Sequence, residues 1–354
     1  SLGLIGEPAV QAMTDFLHNT ARFGNLKMSD QEEIEFFDPL RENAAKLLNT
    51  TKEKIAIIGS SSEMLSQLPL IFKPKANSKI LVVSSDFPAI TRPWISYSKH
   101  NNCKINFIDE IPCESLTDTI IKNIDSETAV VAISLVQFST GTRINPYKLR
   151  EATKNVGAKL ILDATQAAGA MPIESDNYNA DVIVCSGYKW LGGHGGVGIA
   201  AISNEFLKKD PVMAGWMGAS NPFDMQPKKL LYAKDARKFT QSTMSYISIK
   251  GLEIAIKEVI DLNLETIKTH SQKLATILAN GIKESKWQPY RSINDKCASS
   301  HIISLESQSA GTARTLEKLK KENIVCGTRN NRLRVSIAHF NNETDIMSLV
   351  EALF

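Results

Sequence analysis

Asp163, Gln166 and Lys189 fall within one stretch of this 354-residue chain, KLILDATQAAGAMPIESDNYNADVIVCSGYKWLGGHGGVG, residues 159–198. A carboxylate, a carboxamide and an amine are the groups needed to hold a pyridine aldehyde. The amine condenses with the aldehyde as a Schiff base, the carboxylate pairs with the ring nitrogen and keeps it protonated, and the carboxamide donates to the phenolic oxygen. Lys189 follows the apolar run DVIVCS (181–186), and Asp163, 26 residues earlier, ends the run KLILD (159–163). Both therefore fall at the carboxyl ends of strands, where open parallel sheets place their ligands. A lone lysine there is usually a solvated surface group, and Asp163 alone would serve as a helix N-cap before ATQAAG. The pair points instead to pyridoxal 5′-phosphate as cofactor.

Such a cofactor also needs an anion site and a cover for its ring. GSSSEML (59–65) follows the apolar run IAII and offers backbone N–H groups and small hydroxyls at a helix start. Ser61 and Ser62 are the expected phosphate anchors, Ser60 lies beside them, and Ser186 supplies a further hydroxyl. The same serines ahead of Glu63 read as a capping box, which is compatible with anion binding. Phe87, directly after KILVVSS (79–85), is the expected stacking residue on the ring face opposite Asp163. Arg334, in the short strand LRVSI, can face a cleft while its neighbours pack, and its guanidinium fits a substrate carboxylate bidentately. Arg143, in STGTRINP, is a second substrate-binding candidate or a surface charge; Arg329 and Arg332 read as solvated or auxiliary.

These residues need a scaffold. The runs IAII (55–58), KILVVSS (79–85), AVVAISL (129–135), KLILD (159–163), DVIVCS (181–186) and VGIAAIS (197–203) alternate with stretches of helical period. The pattern predicts an α/β fold with a mostly parallel central sheet and helices on both faces. Residues 204–243, rich in Pro, Met, Asn, Lys and aromatics, read as a long irregular surface segment of the functional or interfacial kind. A long helical pattern from residue 251, then HIISLES, a helix near 310–321, LRVSI and a closing helix from 344 predict a smaller α+β C-terminal domain. The expected division is a large cofactor-binding domain over 15–245, with 1–14 and 246–354 forming the small domain.

Composition sets wide bounds. A hydrophobic content of 43%, charged content of 22% and net charge of +3 fit a globular protein and give no basis for a nucleic-acid partner. The cysteines, Cys103, Cys113, Cys185, Cys297 and Cys326, are odd in number and scattered without metal-ligand spacing, which fits a reducing compartment. The opening SLGLIGEPAVQAM lacks the features of a secretory signal, and no apolar run is long enough to span a bilayer. A cytoplasmic protein without metal or membrane partner is expected.

With these motifs in hand, the chain resembles the class V aminotransferase branch of the fold-type I pyridoxal phosphate enzymes, which includes cysteine desulfurases, selenocysteine lyases, kynureninases and isopenicillin epimerase-like proteins. The resemblance covers nearly the whole chain and rests on GSSSE, FPAITRPW, VQFSTGTRINP, LDATQAAGAMPI, SGYKWLGG and NRLRVSIAHFNNETDI. It implies a homodimer with a shared active site. KFTQSTMS resembles the segment that reaches the partner subunit's phosphate, which gives Thr243 that role, and the arginine motif gives Arg334 the substrate α-carboxylate. It implies an amino acid substrate and a class V aminotransferase, with a carbon–sulfur or carbon–selenium lyase as the alternative. Against a desulfurase stand Tyr188, where those enzymes usually have histidine, and Cys326, which reads as the end of a strand rather than a mobile loop thiol. His194 stands where relatives often have proline. Gly193, Gly195 and Gly198 match the dinucleotide fingerprint G-x-G-x-x-G, but they precede an apparent strand rather than open a helix, so an oxidoreductase is not expected.

Overall fold

The computed structural model describes residues 3–309 and 311–354. The apolar runs form strands β1 (Ile55–Ile58), β2 (Lys79–Val83), β3 (Lys104–Ile108), β4 (Thr128–Ser134), β5 (Lys159–Asp163), β6 (Val182–Ser186) and β7 (Gly198–Ile202). They make one seven-stranded sheet in the order β1-β7-β6-β5-β4-β2-β3. β2 pairs in parallel with β3 and β4, β4 with β5, and β5 with β6, whereas β7 runs antiparallel between β1 and β6. The predicted mostly parallel sheet is thus present. β3 was not foreseen; it is an edge strand whose Lys104 and Phe107 are exposed.

Burial on both faces follows from the side-chain alternation of a strand. Ile57, Leu81, Val131, Ile133, Leu160, Leu162, Ile183 and Ile199 enter one core, and Ile58, Val82, Val130, Ile161, Val182, Val184 and Ala200 enter another on the opposite face. The first core is covered by α3 (Asp38–Leu48), which follows α1 (Glu7–Phe23) and α2 (Asp30–Glu35), and the second by α4 (Ser61–Phe72) and α5 (Pro88–Asn101). α6 (Leu116–Lys122), α7 (Pro146–Asn155) and α8 (Ser175–Tyr178) complete the first layer. α4 starts where Ser60 Oγ accepts from Glu63 N at 3.1 Å, and α7 where Asn145 Oδ1 accepts from Lys148 N at 3.1 Å.

The predicted irregular segment holds only the short α9 (Asn204–Leu207) and three 3₁₀ turns. The single helical pattern foreseen beyond it is two helices, α10 (Tyr246–Leu262) and α11 (Leu264–Gly281), separated by Asn263 at φ +66°. α10 buries Ile249, Leu252, Ile256 and Val259 in the first sheet core, while Leu274 and Leu278 of α11 join a third core. That third core belongs to a second sheet of β8 (Gln288–Pro289), β9 (Ile302–Glu306), β10 (Gly327–Arg329) and β11 (Arg332–Ser336), ordered β10-β11-β9-β8 and antiparallel throughout. Ile303, Leu305, Leu333 and Val335 pack against α11, α12 (Thr312–Lys321) and α13 (Glu343–Ala352). The alternate positions, Ser304, Glu306, Arg332 and Arg334, therefore share the other face.

The two sheets meet along the loop after β4. Gly141, at φ +76°, is where a Cβ would stand 2.1 Å from the carbonyl oxygen of Ile302, and its own carbonyl accepts from Ser299 N at 2.9 Å.

Candidate active site

Asp163 ends β5 and is 4% exposed. Its Oδ1 accepts from Thr165 N at 2.8 Å, which shapes a tight turn rather than the helix start that its N-cap reading would need. Thr165 Oγ1 in turn accepts from Ser186 N at 3.1 Å, tying the ends of β5 and β6 together. Burial raises the Asp163 carboxyl to about 6, with a smaller upward push from the Asp86 charge and opposing pulls from Thr165 and Lys189. A buried carboxylate held at this cost favours a cationic partner such as a ring N–H⁺.

Lys189 sits three residues beyond β6 and is half-buried. Burial depresses its amine pKa, and the charges of Arg334 and Arg329 depress it further, while Asp163 opposes them. A lowered amine pKa increases the fraction of free base, the form that attacks an aldehyde. Its Nζ lies 5.1 Å from the centre of the Tyr188 ring.

Gln166 is turned by its neighbours. Its Oε1 accepts from Trp190 Nε1 at 2.9 Å and from Arg334 at 3.4 Å, so the carboxamide nitrogen is the end left to donate elsewhere. That orientation suits a phenolate oxygen. The Gln166 carbonyl accepts from His301 Nε2 at 2.6 Å, which fixes the proton on that ring nitrogen, and the Trp190 and His301 rings meet edge to face at 4.8 Å. Burial pushes His301 down to about 4, so it is neutral at ordinary pH. Gly169, at φ +91°, admits this arrangement: a Cβ there would lie 2.5 Å from the Trp190 carbonyl oxygen.

Of the serines, Ser61 is buried in the first turn of α4 with its Oγ 3.0 Å from Ser186 Oγ, so two hydroxyls from different elements converge at a helix N-terminus. Ser60 is the N-cap. Ser62 is exposed and lines a cavity of about 770 Å³ between α4 and α5, which Phe87 and Arg92 also line. Phe87 caps α5, is 46% exposed and lies edge to face with Phe138 at 5.5 Å. Thr243 is exposed just before α10.

Arg334, on β11, is 8% exposed, and burial, with the nearby Arg329 charge, depresses it to about 10. Its Nε is buried without a hydrogen-bond partner among the described residues, as is the Oγ of Ser304, its register partner on β9. An orphaned buried donor is costly unless a ligand satisfies it, and a carboxylate would. Arg143 pairs by its backbone with Val136 and stands with Arg334 in the field of His301. Arg332, directly opposite Arg329 in the register, stacks 3.9 Å over the Tyr290 ring and pairs with Glu306 at 3.2 Å.

Asp86 escaped the sequence reading. Fully buried, it accepts from Ser134 N at 2.8 Å, Ser134 Oγ at 2.6 Å, Gln137 Nε2 at 3.1 Å and Phe87 N at 2.7 Å, and so anchors Phe87 to the end of β4. The signal was present as an acid directly after the apolar run 79–85. Trp190 and His301 were also missed, because their roles come from contacts between distant segments.

Cys326 precedes β10 instead of ending a strand as expected. Burial raises its thiol to about 11, so it is a poor nucleophile. Gly198 opens β7, and no helix follows the glycine-rich turn, in keeping with the absence of a dinucleotide fold there.

The model of the aminotransferase class-V family matches residues 5–349, almost the full length. The chain belongs to the aminotransferase class-V family. Among relatives, the uncharacterized aminotransferase YcbU of Bacillus subtilis is 23% identical over 359 residues, covering 100% of this chain and 92% of the relative. A kynureninase of Yarrowia lipolytica is 27% identical, covering 70% and 60%. Among solved structures, the apo cysteine desulfurase of Thermococcus onnurineus superposes with a TM-score of 0.87 at 20% identity, covering 99% of this chain and 91% of that one. A cystine C–S lyase in complex with cysteine persulfide gives 0.89 at 17% identity, covering 99% and 95%. These likenesses establish for this class V member the type I fold of pyridoxal phosphate enzymes. No helix among the described residues is long and apolar enough to cross a membrane.

Proposed function

We propose that this chain is an aminotransferase that acts on an amino acid at the cluster of Lys189, Asp163, Gln166 and Arg334. The cofactor is pyridoxal 5′-phosphate, which when bound supplies an aldehyde for amines and an electron-withdrawing ring. The residues fit it: Asp163 would hold the ring nitrogen, Gln166 the phenolic oxygen, and Ser61 and Ser186 the phosphate. Ser62 and the partner's copy of Thr243 would assist at the phosphate, in a homodimer, and Phe87 would cover the ring. The large domain, proposed to span 15–245, carries these groups, and the small domain carries Arg334.

The observation that supports this reading most strongly is the pairing of a buried carboxylate with a half-buried, pKa-depressed amine beyond adjacent strand ends. Lys189 takes the role of proton carrier, since burial lowers the proton affinity of its amine and so eases both taking up and returning a proton. Arg334 fixes the substrate carboxylate and with it the orientation of the Cα bonds. The raised thiol of Cys326 speaks against a persulfide-forming cysteine.

The test is reconstitution of the purified protein with the cofactor, followed by incubation with single amino acids. Appearance of a visible absorbance band and its conversion by substrate to the amine form of the cofactor, with release of a keto acid, is the expected result. Release of sulfide or selenide from cysteine or selenocysteine without that conversion would replace the aminotransferase reading by the lyase alternative.

A further inference from the structure

The proposed reaction gives the substrate carboxylate to Arg334 and leaves its cross-strand neighbour Arg329 unused. Elsewhere in the chain, arginines withdrawn from solvent are matched: Arg41 pairs with Asp235 at 2.6 Å and Asp38 at 3.1 Å, Arg150 with Asp181 at 3.1 Å, and Arg291 with Asp295 at 2.7 Å. Arg237 spends its guanidinium on the carbonyls of Met217, Ala219 and Ser220. Arg334, Arg329 and Arg143 have no acidic partner among the described residues.

Register puts two of them on one surface. Gly327 of β10 lies opposite Arg334 of β11, and Arg329 stands two residues along from Gly327, so Arg329 and Arg334 project from the same face of the hairpin as diagonal neighbours. Both charges reach Lys189, and the Arg329 guanidinium donates to the carbonyl of Thr328 at 2.6 Å. Arg143 stands on the loop after β4, and its charge, like that of Arg334, acts on His301. Ser304 adds a buried hydroxyl without a partner beside Arg334.

One α-carboxylate satisfies Arg334, and the ring nitrogen takes Asp163. Arg329 is then left half-buried and uncompensated beside a second guanidinium, an arrangement that like-charge repulsion disfavours. Resting on the cofactor reading above, we propose that the substrate is a dianionic amino acid, whose side chain ends in a carboxylate, sulfonate or phosphate that Arg329 binds while Arg334 holds the α-carboxylate. Arg143 lies at the edge of the same field and contributes long-range attraction rather than contact.

The experiment uses the reconstituted holoprotein at constant ionic strength and follows the cofactor's visible band on titration with isosteric pairs: L-glutamate against L-glutamine and L-aspartate against L-asparagine. L-cysteate and O-phospho-L-serine distinguish the sulfonate and phosphate forms of the side-chain anion. At least one charged ligand should half-saturate at a tenfold lower concentration than its neutral isostere. Arg329→Met should abolish that ratio and Arg329→Lys should keep part of it, each with the visible band retained as evidence of a folded site. Equal half-saturation by charged and neutral members of every pair overturns the proposal while leaving the cofactor reading intact, as does a preference that survives Arg329→Met. Failure of the wild-type protein to form the band overturns both.

Discussion

Replacing Asp163 by Asn should make the ligand-free protein more stable and the cofactor-loaded protein less so. Burial lifts the carboxyl of Asp163 from an ordinary 3.8 to about 6. At roughly 1.4 kcal/mol per tenfold change in proton affinity, its ionised form costs the fold about 3 kcal/mol. The sign follows from proton counting: between 3.8 and about 6 the folded chain binds more protons at this site than the unfolded chain, so stability falls as pH rises through that window. Above it the whole cost is present. Asn keeps an oxygen that can accept from Thr165 N, now at 2.8 Å, and removes the charge. Thermal unfolding of the cofactor-free proteins at pH 4 and pH 7.5 is the assay. The variant should melt several degrees above the wild type at the higher pH and nearly level with it at the lower. With cofactor the order should reverse, because only the carboxylate stabilises a protonated ring nitrogen. If cofactor-free Asp163→Asn melts at or below the wild type at pH 7.5, the charge on Asp163 is not the strained element described above.

Removing the guanidinium in Arg334→Met should raise the half-saturating amino acid concentration by about a hundredfold, in line with loss of a buried charge-assisted pair, with cofactor affinity little changed; equilibrium titration of the visible band checks both. Gln166→Ala strands the Trp190 and Arg334 donors and should cost about 1–3 kcal/mol of stability, accompanied by a change in tryptophan fluorescence. Ser61→Ala should weaken cofactor binding about tenfold through loss of one charge-assisted hydrogen bond, measured by dialysis. Cys326→Ser should leave turnover within about twofold, since a thiol raised to about 11 is scarcely ionised at neutral pH; a loss of activity measured by product release would count against the structural role of that cysteine.

The strands that carry the chemistry were legible because they are buried on both faces and so read as unbroken runs of Ile, Val, Leu and Ala. β3 was not, since KINFI at a sheet edge mixes exposed Lys104 and Phe107 with half-buried neighbours. The break at Asn263 is hidden by an apolar period that continues through it, although Asn is the non-glycine residue best suited to a positive φ. Asp163 and Lys189 could be found from where they stand relative to their strands. Asp86 could not, because its importance lies in four donors drawn from two loops and a strand end. Nor could the orientation of the Gln166 carboxamide, which depends on Trp190 and on Arg334, 168 residues away.

Lys189 and Arg334, the proposed amine and carboxylate clamp, are borne on separately cored sheets that abut at the Gly141 seam. The spacing between handle and chemistry is therefore adjustable from afar: substitutions in α11 or α13 that tilt the smaller sheet would alter which amino acids fit, with every group in the cleft left as it is. Such a division of labour lets a lineage explore new diets of substrate through packing changes while its proton-handling apparatus stays constant.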